Sequence, residues 1–351
     1  MHKSTHWSKI LKVRPSRRTF YRSIMAQKFS TSGAQTAGVL LRTIPEAQQT
    51  VIARELTTKL RSSFDEAAAS VAVELVAGRD EGSLKNDLID VLVSRIDQGS
   101  PDSVASLLSQ SIGLSERLVT VAVEVLTNTD KTSSSTIKSD SQDVDKDEQD
   151  DQEDAKEVDA VPQSTVLHWL RFAKQVVPAA RNGDHEQVLF RNALRLFHHT
   201  DRATALAARD LVFSLFSSSS AAQKNLNAVR ETIGALIDSS DSKLQQTLGY
   251  ALWMRLLAVS DQLDVSEIDL NDDTYWQPLV VGLRNGDGER RKMCLDILKR
   301  SVALAIDQGN LSAVASKDNS KSSSFLRSFR KTWIDVKNLH KLEMKNLLIS
   351  R

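Results

Sequence analysis

Apolar residues return at helical spacing through most of the chain. Ala68, Val71, Ala72 and Leu75 fall at i, i+3, i+4 and i+7, as do Ile89, Leu92, Val93 and Ile96, and again Phe190, Ala193, Leu194 and Phe197. That period puts each set on one helix face. No segment between turn signals alternates cleanly between apolar and polar, so no sheet is expected. The pattern predicts helices over 44–61, 64–77, 83–98, 101–112 and 115–127, then over 164–181, 184–199, 201–217, 220–238, 241–260, 273–284 and 287–308. Ser63-x-x-Glu66 reads as a capping box, Asp184-x-x-Gln187 as its relative, and Pro101 suits a first turn. Gly78, Gly99, Gly113 and Gly183 stand where helices are expected to stop.

The fullest set of signals lies between Tyr275 and Val302, YWQPLVVGLRNGDGERRKMCLDILKRSV. Thr274-x-x-Gln277 can cap a first helix and Asn285-Gly286-Asp287-Gly288 supplies a turn. Asp287 can cap a second helix that carries Glu289 in its first turn and Lys299-Arg300 further along. A lone hairpin cannot bury its apolar face, so short connections and repeated pairs predict an all-α, HEAT- or armadillo-like α-solenoid of antiparallel helix pairs. The pairs share no crisp consensus, which leaves a plain helical bundle as the alternative.

Residues 128–163 interrupt the periodicity. Eleven acids lie between Asp140 and Asp159, with only Lys146 and Lys156 against them. So little apolar content cannot offset the entropy of ordering, and the segment is expected to be disordered. It reads as a loop inserted between two helices of one array or as a linker between domains. The expected organisation is a basic extension over 1–43, helical segments over 44–127 and 164–308 on either side of 128–163, and a loop with a basic helix over 309–351.

Composition agrees with helices. Of 351 residues, 40% are hydrophobic but only 5% aromatic, with 13 Gly and 6 Pro. One cysteine, Cys294, excludes an internal disulfide framework and a cysteine-built zinc site. The net charge of +1 conceals segregation: residues 1–45 hold nine Lys/Arg and no acid, 128–163 carry net −8, and 164–351 carry net +6. No apolar run reaches the roughly 20 residues that span a bilayer, so no membrane partner is expected. A cytoplasmic protein follows, with the mitochondrion as the alternative, because residues 1–37 have the composition of a transit peptide. A plain basic extension ahead of a start at Met25 is the other expectation for the same residues.

The common catalytic motifs are missing. There is no G-x-G-x-x-G, no phosphate-binding G-x-x-x-x-G-K-[ST], no H-E-x-x-H and no C-x-x-C. His198 and His199 diverge by about 100° on a helix and suit a helix end better than a metal. Asp269-x-Asn271-x-Asp273 lacks the glycine and the terminal glutamate of a calcium loop. Trp169, Trp253 and Trp276 sit on apolar faces as core anchors. No catalytic, cofactor-binding or metal-ligating residue is expected. What remains is a basic cluster: Arg284, Arg290, Arg291, Lys292, Lys299 and Arg300, candidates to hold RNA phosphates or simply to solvate the array. Arg327, Arg330 and Lys331 alternate with Phe325, Phe329 and Trp333 in the same manner.

Tyr275-Trp276, Gly282-Leu283, Arg291-Lys292 and Ile297-Leu298-Lys299-Arg300, in that order and spacing, resemble the N-terminal helical region of the large eukaryotic tRNA (guanosine-2'-O-)methyltransferases of the SPOUT class. The matching residues cover under a tenth of the chain. The resemblance implies a non-catalytic helical scaffold that assists tRNA binding or enzyme architecture. It also implies a separate knotted domain that binds S-adenosylmethionine, and nothing in this chain matches that domain. Lys337–Arg351 departs from the family's pattern, so a truncated gene product is one expectation. A protein–protein adaptor of HEAT or armadillo type, using a helical groove, is the other reading.

Overall fold

The computed structural model describes residues 37–39, 41–77, 82–108, 111–133, 161–180, 183–216, 219–239, 242–259, 273–284 and 287–307. Among them every regular element is a helix, so the all-α expectation holds. The chain forms two compact units, Met1–Asn182 and Gly183–Arg351.

The first unit holds α1 (Glu46–Ser62), α2 (Glu66–Val76), α3 (Ser83–Asp97), α4 (Pro101–Leu108), α5 (Ile112–Ser133) and α6 (Gln163–Ala180). In α1 the buried residues Ala53, Leu56, Thr57 and Leu60 form one stripe. By contrast, α2 is buried nearly all round, from Ala68 to Val73 and at Leu75 and Val76. A helix apolar on every side belongs inside, and α2 packs against α1, α3 and α4. Asp65, not Ser63, caps it by accepting from Ala68 N at 2.8 Å. Glu66 is thereby released from the expected capping box and accepts from Ser103 Oγ at 2.8 Å. Residues 37–39 and 41–43, assigned by sequence to the basic extension, pack here too: Leu41 is buried, and Arg42 bonds both the carboxylate of Glu74 at 2.9 Å and its backbone carbonyl at 2.8 Å.

Gly99 ends α3 as expected, with φ +94°, a conformation that costs any L side chain. Asp97 beside it accepts from Trp169 Nε1 at 2.8 Å through its carboxylate and from His168 Nδ1 at 3.2 Å through its carbonyl. Both donors lie on α6, which also packs on α4 and α5. The boundary of the unit therefore falls after α6, not within 128–163, and 164–180 belong with the first unit rather than the second. Residues 134–160 accordingly connect two helices of one unit; their expected disorder lies outside the described residues. So do the expectations for 1–36 and 308–351, including the Phe325–Trp333 cluster and the C-terminal helix.

The second unit holds α7 (Gly183–Arg195), a short 3-10 turn (Leu196–His198), α8 (Arg202–Leu215), α9 (Ser219–Lys224), α10 (Leu226–Asp238), α11 (Lys243–Ala258), α12 (Asp273–Arg284) and α13 (Gly288–Asp307). The helix expected over 220–238 breaks at Asn225. Its buried side chain donates to Ala221 O at 2.8 Å and accepts from Arg191 Nε at 2.6 Å. Gly113 and Gly183 lie in the first turns of α5 and α7, not at helix ends. Asp184 and Thr274 lie inside helices rather than at N-caps. The caps found are Asp201, Ser242 and Asp287. Counting α9 with α10, first and second neighbours along the chain pack together: α7 with α8 and α10, α8 with α11, α11 with α13. Stacked helix pairs make contacts of this order.

Candidate nucleic-acid interface

The hairpin of α12 and α13 is held from below by α11. Its buried stripe runs through Trp276, Leu279 and Leu283 on α12, and through Cys294, Ile297, Leu298 and Ser301 on α13. The packing leaves no room at Gly282, where a Cβ would lie 2.3 Å from Cys294 Sγ and 2.6 Å from Tyr250 Oη. Only glycine fits. Tyr250 Oη instead donates to Pro278 O at 2.9 Å, and burial raises its pKa well above the usual phenol range. Burial pushes the Cys294 thiol up to about 12, so this cysteine is a packed, un-ionised group rather than a nucleophile.

A second lock lies further along the hairpin. Ser301 Oγ spends its one proton on Ile297 O at 2.8 Å, so Tyr275 must donate in the 2.5 Å contact between the two hydroxyls. Tyr275 meets Trp253 and Trp276 edge to face, each at 5.0 Å between centroids. Burial pushes its pKa up to about 12. Trp169, Trp253 and Trp276 are all buried and hold cores, as expected from their apolar faces.

The turn itself is charged. Asp287 Oδ1 accepts from Glu289 N at 3.0 Å and from Arg290 N at 3.4 Å, and Oδ2 takes Lys243 Nζ at 2.6 Å. The Lys243 bond first, then the backbone N–H groups, hold the Asp287 carboxyl down at about 2. Arg290 reaches Gln246 Oε1 through Nη1, with its Nε 3.6 Å from Asp287. The start of α13 is thus pinned to the first turn of α11.

The six basic candidates divide accordingly. Arg290 is 8% exposed and faces inward, so it is a structural residue and leaves the candidate set. Its place was legible: 290, 294, 297 and 301 follow the helical period of the buried stripe. Arg284, Lys292, Lys299 and Arg300 are exposed, and Arg291 is half-buried. Lys299 lies 3.5 Å from Asp296 across one turn. Val281 (60%) and Leu295 (39%) add exposed apolar surface to the same hairpin.

The histidine pair ends a helix as expected, His198 as the last residue of the 3-10 turn and His199 as its C-cap. His199 Nδ1 accepts from Asp201 N at 3.0 Å, and burial lowers the pKa of His198. Among the described residues no group of three or more His, Cys, Asp or Glu side chains is placed to hold a metal ion. No described helix is long and apolar enough to cross a membrane.

No family model matches the chain. No curated protein matches it either. A solved structure described as an engineered protein aligns over 94% of each chain at 13% identity, with a TM-score of 0.29, a likeness that carries no argument about fold or function.

Proposed function

We propose that the chain is a non-catalytic helical scaffold whose α12–α13 hairpin presents a basic edge to tRNA, as the N-terminal part of a tRNA ribose 2'-O-methyltransferase would. The observation that carries this reading is the outward set Lys292, Lys299 and Arg300 on α13, with Arg284 exposed at the end of α12. Exposed cations on long side chains suit phosphates and carry no base-reading geometry. The residue order shared with that family adds the substrate class. S-adenosylmethionine enters only through a catalytic domain that this sequence does not contain.

Filter binding of the full chain to bulk tRNA at low and high salt tests the proposal. Affinity is expected to fall steeply with salt. Joint reversal of Lys292, Lys299 and Arg300 to Glu is expected to flatten the log–log slope by roughly 0.7–0.9 per lost contact. Binding absent at low salt, or unchanged in the triple variant, rejects it. Val281 and Leu295 favour a second reading, a protein-binding adaptor. Under that reading Val281→Asp abolishes co-purification of a protein partner and leaves the triple charge reversal without effect.

A further inference from the structure

A polar cavity of about 510 Å³ opens in the first unit, between the end of α1, Phe64 in the loop that follows it, and α3. Its walls include Arg61, Phe64, Asp90, Ser94, Arg95 and Gln98. Neither this position nor its chemistry is shared with the hairpin of the second unit. The lining residues Asp90 and Ser94 of α3 and Gln98, its C-cap, fall four apart on one face with Arg95 beside them, so a single helix and its cap supply most of the polar lining.

Arg95 is the unusual member. Its guanidinium lies over the Phe64 ring, 4.9 Å from the centroid, which fixes the plane of the group and covers one face. Its Nε is buried with no hydrogen-bond partner, and its Nη1 makes only a 3.5 Å contact to Gln98 Oε1. A buried charged donor without an acceptor costs stability that the fold does not recover within itself. The amide nitrogen of the same Gln98 donates to Ser94 Oγ at 3.1 Å. Arg61 also lines the cavity, in an exposed pair with Asp87 at 2.7 Å that a competing anion can displace at little cost. Asp90 has no partner among the described contacts.

The lining holds Arg61, Arg95 and Asp90, and Asp87 beyond it already pairs with Arg61, so Arg95 is the guanidinium left without a carboxylate. A dianionic phosphate would meet Asp90 unfavourably. A carboxylate monoanion balances the charge, matches the planar fork and lets Asp90 accept from a neighbouring hydroxyl or amine. We propose that this cavity binds a small hydroxy- or amino-carboxylate, with its carboxylate on Arg95 and Arg61 and its adjacent donor on Asp90.

Glycolate, its near-isostere propionate, which lacks the hydroxyl, and inorganic phosphate probe the head-group site. Each is titrated into the full chain at constant ionic strength, with calorimetry giving the affinity in the parent and every variant and the Arg95 Nε–H resonance of the parent locating the ligand. The proposal expects saturable glycolate binding, weaker binding of propionate and of phosphate, and a loss of roughly tenfold or more in Arg95→Gln. Asp90→Asn should remove the preference for glycolate over propionate and improve phosphate binding. Where Arg95→Gln fails to fold, Arg95→Lys, which keeps the charge and loses the fork, and Arg61→Gln must each weaken glycolate. No saturable shift of the Arg95 resonance, equal glycolate and propionate affinities, or variants that bind like the parent overturn it.

Discussion

Two turns, one in each unit, solve the same problem with different chemistry. Between α3 and α4 the chain reverses at Gly99, in a backbone conformation open to glycine and clamped by the His168 and Trp169 side chains of α6. Between α12 and α13 the anchor is Asp287, which caps the second helix and pairs with Lys243 of α11. The first turn depends on handedness and on a buried indole. The second depends on a carboxylate that must stay ionised. The first is therefore vulnerable to added atoms and to cavities, the second to protons.

The largest expected effect is Trp169→Ala. It opens a cavity beside Phe172, its edge-to-face neighbour at 5.6 Å, and frees the Asp97 carboxylate. Loss of about 3–5 kcal/mol in the first unit is expected, read by hydrogen exchange in α3, α4 and α6. Equal loss of protection in α11–α13 would erase the independence of the two turns. Gly99→Ala comes next, at roughly 1–2 kcal/mol for a Cβ in the left-handed region, where His168 also approaches the new atom at 3.3 Å. A thermal melt unchanged from the parent would show that the turn relaxes freely.

Acid then separates the two turns. The Asp287 pKa is about 2 in the folded chain against an ordinary 3.8. The stabilisation from its ionised form is thus complete above about pH 4 and is lost as pH falls through about 2. Loss of the Trp253 and Trp276 fluorescence environment over that window, abolished in Asp287→Asn, is the expected result. Identical acid profiles in parent and variant would remove charge from the account. The smallest effect is Lys243→Gln, at roughly 0–1 kcal/mol because the lysine is 73% exposed, measured by urea melts at low and high salt. A larger loss would make the ion pair, not the cap, the main tie between α11 and α13.

Helix positions were legible because burial and period coincide: Ala53, Leu56 and Leu60, or Cys294, Ile297 and Ser301, declare a face without knowledge of the partner. The break at Asn225 was not, because a buried amide bonded to Arg191 depends on a helix 34 residues away. Ser63 lost the cap to Asp65 because both fit the local rule and only geometry ranks them. Within the hairpin the exposed cations were legible as a group, and Arg290 was separable from them by helical period alone. The lock of Tyr250, Gly282 and Cys294 was not legible, since nothing local to Tyr250 announces the glycine it faces. The cavity around Arg95 joins residues of α1 and α3 with Phe64, three segments brought together only by folding.

The packing of α6 on α3, α4 and α5 bears on what a protease could do to the molecule. A single cut anywhere between 133 and 161 would yield two polypeptides, and the break would lie inside the first unit rather than between units. The C-terminal piece would still hold Trp169 in its socket against Asp97. Such nicked chains should co-elute on gel filtration under native conditions and come apart only in denaturant, as complementing fragments do.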